Sequence, residues 1–71
     1  MEIEWRDGAE IRVSAGQDAV RISANREGLL SLADQLAALA REMPGSHIHY
    51  DAYNSLEEDS AELVIEKTAQ D

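Results

Sequence analysis

The chain contains no cysteine. Disulfides and thiolate metal sites are therefore excluded, and a reducing compartment is compatible with the sequence. No apolar run approaches the length needed to cross a bilayer, and the N-terminus lacks a charged-then-apolar leader. The expectation is a soluble, cytoplasmic protein. Basic side chains are scarce, six against fifteen acidic ones, for a formal net charge of −9. That balance argues against nucleic acid as a partner, because a phosphate backbone needs a lysine and arginine surface, and it argues against anionic membranes. No glycine loop suited to phosphate is present, and neither Ser23 nor Ser46 lies in nucleophile-elbow spacing. Internal repeats and low-complexity stretches are lacking too. Neither a catalytic residue nor a cofactor is expected.

Seventy-one residues make a single domain, 1–71. A chain of this length hides only roughly 60% of the surface its unfolded form exposes. Without disulfide or metal staples, further burial has to come from oligomerisation or a tight partner.

The most regular pattern runs from Asn25 to Met43. Leu29, Leu32, Ala33, Leu36, Leu39, Ala40 and Met43 recur at three-and-four spacing, which predicts one apolar helix face, with Gln35 and Asp34 on the polar side. Asn25 is the natural N-cap, and Pro44-Gly45-Ser46 stops the helix. Gly28 sits in the first turn, where close packing of the helix start against a strand would explain it. Alternating segments flank the helix at 1–7, 9–14, 19–24, 47–53 and 61–67, with Asp7-Gly8 as a hairpin turn signal between the first two. The expected fold is α+β: a small antiparallel sheet of about five strands, in the order β-β-β-α-β-β, covered on one face by the single helix. Trp5, Ile11, Val20, Ile22, Ile48, Leu63 and Ile65 are expected to meet the helix leucines in the core.

Two places carry possible chemistry. His47, His49 and Asp51 alternate along one strand and point the same way, near Glu62 and Glu66 if the last two strands pair. Imidazole and carboxylate ligands suit zinc, so these residues are a candidate metal set, set against a plain solvated sheet face. Charge supplies the other place. Residues 47–71 hold seven acids and one base, two thirds of the excess negative charge. Asp51, Glu57, Glu58, Asp59, Glu62 and Glu66 are expected to form one negative patch beside Tyr50, Tyr53 and Asn54, a composition suited to a protein partner, with a core place for Tyr50 as the other reading. A further reading is a self-associating module that pairs the edge strand Met1–Arg6 with its twin, so that the chain is either monomer or homodimer.

From Val20 to Lys67 the chain also resembles a known family. The run VRISANREGLLSLADQLAALA is followed by GSHIHYDAYNSLEEDSAELVIEK. Ile22-Ser23-Ala24-Asn25 leads into Glu27-Gly28-Leu29, and after the helix come His47-x-His49-x-Asp51, Tyr53-Asn54-Ser55-Leu56 and Glu62-Leu63-x-Ile65. Together these resemble the immunity protein 32 family of bacterial polymorphic toxin systems. The resemblance implies a small cytosolic antidote that binds a cognate toxin domain and suppresses it by occlusion, without chemistry of its own. It carries no contact residues over to this chain.

Overall fold

The computed structural model of the chain describes residues 3–69. It contains β1 (Ile11–Ala15), β2 (Val20–Ala24), α1 (Arg26–Leu39), β3 (His47–Tyr50) and β4 (Leu63–Glu66). The class is α+β, as the alternation and the helical spacing predict. The described strands form two antiparallel ladders, β1–β2 and β3–β4, in place of a single five-stranded sheet.

The missing strand is the first one. Asp7 and Gly8 do form a turn, with Gly8 at φ +82, but residues 3–6 take no strand conformation. Their backbone is claimed by the helix. The Arg6 N–H donates to Ser31 Oγ (2.9 Å), Gln35 Nε2 donates to the Glu4 carbonyl (2.8 Å), and the Arg6 guanidinium pairs with Asp34 (2.9 Å). The hairpin forms one step later, across residues 16–19, and aligns Val13 with Ile22. The expected edge strand Met1–Arg6 is thus corrected over residues 3–6, while Met1 and Glu2 lie outside the described residues.

Asn25 caps the helix as expected. Its Oδ1 accepts from Gly28 N–H (2.8 Å) and Glu10 N–H (3.0 Å), and its Nδ2 donates to the Gly8 carbonyl (2.7 Å). One side chain therefore satisfies an orphan helix donor and fixes the chain entering β1. Gly28 is required by contact. A Cβ there would lie 2.7 Å from the Glu10 carbonyl oxygen and 2.9 Å from Ile11 Cγ1. The helix stops at Leu39, short of Met43, and Lys67 Nζ donates to the carbonyls of Ala40 (2.7 Å) and Glu42 (2.8 Å) just beyond its end. A cation at that point also complements the negative end of the helix dipole.

The buried line of the helix is Gly28, Ser31, Leu32, Gln35 and Leu39. This is rotated from the expected stripe, for Leu29 is 55% exposed and Leu36 and Met43 are also exposed. The reason is polar. Residues 4–6 present backbone groups that need partners, and Ser31 and Gln35 supply them only when turned inward.

Leu32 and Leu39 join Ile11, Val13, Ile48, Tyr50 and Leu56 in the core, with Trp5, Leu63 and Ile65 packed around them. Val20 and Ile22, expected inside, are exposed because nothing among the described residues lies beyond β2. Leu56, alone in a polar loop, becomes a core anchor. The two ladders are joined edge to edge by residues 57–61. Ile11 and Val13 carbonyls accept from the N–H groups of Glu57 and Ala61 (2.8 Å each), and the Val13 N–H donates to Ser60 Oγ (3.1 Å).

Candidate functional site

β3 ends where the backbone folds into a tight turn at residues 51–56. The Asp51 carbonyl accepts from the N–H groups of Ser55 (3.1 Å) and Leu56 (2.9 Å). Its carboxylate Oδ1 accepts from Tyr53 N–H (2.9 Å) and Asn54 N–H (3.0 Å). Asn54 answers from the other side. Its Oδ1 accepts from Asp51 N–H (3.2 Å) and its Nδ2 donates to the His49 carbonyl (3.2 Å). Such reciprocal bonding is the local chemistry that makes Asp and Asn turn residues. Both of these proposed partner-binding residues therefore hold the turn itself.

What the turn presents is Tyr53. Its side chain is 100% exposed, whereas Tyr50, three residues earlier, is fully buried. Strand alternation sends Tyr50 inward, and the Asp51 turn then carries Tyr53 out of the sheet. Leu56, buried in the core, pins the turn from beneath.

The acidic loop follows directly. Glu57 is half-buried, because its N–H is bonded to β1, while Glu58 and Asp59 are exposed. Asp59 has φ +72, a left-handed conformation that Asp and Asn tolerate better than most residues. Arg12 Nη1 donates to the Glu58 carbonyl (3.3 Å), fastening the loop to β1. Sequence reasoning missed Arg12 and Ser60 as the residues that position this loop. Both contacts join groups more than forty positions apart, and no local pattern announces them.

Glu62, just before β4, and Glu66 at its end are both exposed. His49 Nε2 lies 3.4 Å from a Glu62 carboxylate oxygen, and His47 is the register partner of Glu66. The expected neighbourhood of histidines and carboxylates is present. It stops at pairs. Among the described residues, no three His, Cys, Asp or Glu side chains converge as a metal site would require, and Asp51 is committed to its turn. The candidate set His47, His49 and Asp51 is not assembled.

One group near the site has a displaced proton affinity. Burial pushes the Tyr50 phenol above its ordinary value of 10.0, since the core disfavours a phenolate. The hydroxyl donates to Gln35 Oε1 at 2.7 Å.

Among the described residues, no helix is long and apolar enough to cross a membrane. Residues 19–68 match the model of a family described as Immunity protein 32, a span that includes β2, α1, β3, the turn and β4 but leaves out β1. No curated protein and no solved structure matches the chain.

Proposed function

The chain belongs to the immunity protein 32 family, and on that premise we propose that it binds a cognate toxin domain of a bacterial polymorphic toxin system in the cytoplasm and blocks it by covering its working surface. The docking surface is the stretch from Asp51 to Glu66. Tyr53 is the apolar anchor, with its geometry fixed by Asp51 and Asn54; Glu57, Glu58 and Asp59 follow it in the loop, and Glu62 and Glu66 continue the negative charge along β4 to the end of the ladder opposite His47.

The observation that carries this reading is the full exposure of Tyr53 on a turn that is otherwise rigidly bonded. Tyrosine is enriched among the few residues that dominate binding energy, because it brings a large amphipathic ring with few rotatable bonds. A turn ordered before binding also avoids much of the entropy cost of association. The acids add speed. A negative surface steers a basic partner and raises the encounter rate more than the final affinity. Many toxins that attack nucleic acid carry such a basic face, and a carboxylate surface occupies it as phosphates would.

Growth rescue tests the proposal. The cognate toxin domain is expressed alone and together with this chain, and the mixture of purified proteins is examined by titration calorimetry. Rescue with a one-to-one complex is the expected result. Growth arrest despite soluble co-expression, with no heat of binding, contradicts it.

A further inference from the structure

We propose that the outer edge of β2 pairs two copies of this chain into an antiparallel dimer, joining their β1–β2 hairpins into one four-stranded sheet. Hydrogen bonds at both ends of the hairpin fix which groups face outward. The Gly16 N–H donates to the Ala19 carbonyl (2.8 Å) and the Asn25 N–H donates to the Glu10 carbonyl (3.1 Å). Bonded pairs alternate along an antiparallel ladder, so Ser14 with Arg21 and Arg12 with Ser23 are the bonded pairs between them. The N–H and C=O groups of Val20, Ile22 and Ala24 therefore point away from β1. Among the described residues, none of these groups meets a backbone partner.

The edge is also unprotected by the usual devices. It carries no proline and its register shows no bulge; Arg21 is its only charged side chain. Its apolar side chains lie bare, with Val20 62% exposed and Ile22 exposed beside it. Ile22 and Val20 share a hairpin face with Val13 and Ile11, and Ile11 lies under Gly28 at the start of the helix. On the helix, Leu29 and Leu36 are exposed on the flank opposite the one that residues 4–6 cover.

Two observations select a second copy as the occupant. The first is register. A two-fold axis at Ile22 sets Ile22 against its twin, Val20 against Ala24 and Arg21 against Ser23, so every outward backbone group gains a partner and no like charges face one another. The second is charge. In a chain of net charge −9, residues 19–26 carry two arginines and no carboxylate. Two copies can approach here without opposing their acids. β1 separates this edge from the Glu57–Ala61 segment, so dimerisation leaves the acidic loop on the far edge of β1 unpaired with the second copy.

The test is mass by light scattering across a concentration series, at low and high salt, for the intact chain and for Ile22→Lys and Val20→Glu. A mass rising from one chain to two with concentration is expected, at lower concentration in high salt, where the overall repulsion is screened. Both variants are expected to stay monomeric with an unchanged circular dichroism spectrum, their dimer dissociation constants raised at least tenfold. A monomeric intact chain up to millimolar concentration overturns the proposal, even if Ile22→Lys weakens toxin binding, for the edge would then serve the toxin. A dimer that persists in both variants overturns it as well.

Discussion

The Tyr50 hydroxyl, fully buried, donates a 2.7 Å hydrogen bond to Gln35 Oε1, whose amide nitrogen donates in turn to the Glu4 carbonyl. This relay ties β3 to the helix and the helix to the N-terminal segment. Trp5 adds an edge-on contact with the Tyr50 ring, their centroids 6.0 Å apart. Tyr50→Phe removes the donor and leaves Gln35 Oε1 buried without its partner. The expected loss is about 1–3 kcal/mol in urea unfolding. A neutral result shows that the relay holds nothing.

The same tyrosine couples stability to alkaline pH. Its folded-state pKa lies above the ordinary 10.0, so the folded protein keeps the phenolic proton where the unfolded chain has begun to release it. This contribution to stability is whole below pH 10 and falls as pH rises through the interval between the unfolded and folded values. Chemical denaturation across that range is expected to show a declining midpoint for the intact protein, and a shallower decline in Tyr50→Phe.

Gly28→Ala separates propensity from packing. In an open helix the change stabilises by up to about 1 kcal/mol. Here the new methyl meets the Glu10 carbonyl at 2.7 Å and Ile11 Cγ1 at 2.9 Å, so helix and hairpin have to part. Net destabilisation of at least about 1 kcal/mol is expected from thermal or urea melts, within the range of overpacking costs. A more stable variant contradicts the contact.

Asn25→Ala removes the acceptor for Gly28 and Glu10 and the donor to Gly8 together. The cost is expected to exceed that of an ordinary cap, reaching roughly 2–3 kcal/mol. Hydrogen exchange at the amides of Gly28 and Glu10 is expected to accelerate in the same variant.

Much of this was legible in the residues. The N-cap at Asn25, the reason for Gly28 and the inward places of Leu63 and Ile65 follow from spacing and turn chemistry, the pairing of 47–50 with 63–66 was a condition that the register meets, and the chain's kinship from Val20 to Lys67 follows from the order of its motifs. The helix face was not legible. Leu29, Leu32, Leu36 and Leu39 share one three-and-four spacing, yet only Leu32 and Leu39 are buried, and what turns the face is the hydrogen-bonding demand of residues 4–6, more than twenty positions away. The first strand failed for the same reason, since Asp7-Gly8 signals a turn whether or not the flanking segments pair. Within the candidate site, the acids were visible as composition. The inward place of Tyr50 and the outward place of Tyr53 follow from the alternation of 47–53; that Asp51 and Asn54 are consumed by a turn emerges only when the strand ends at residue 50 and not at 53.

The acidic docking surface is tested most directly by the association rate of the cognate toxin domain. Immobilised toxin is exposed to the intact chain and to a variant combining Tyr53→Ala, Glu58→Lys and Asp59→Asn, the last keeping a residue that tolerates the left-handed backbone. Folding is expected to be unchanged within about 0.5 kcal/mol, because all three side chains are exposed. Association is expected to slow at least tenfold at low salt, with the gap between the two proteins narrowing as salt rises. Equal association rates at every ionic strength would contradict the assignment and place the toxin on another face of the molecule.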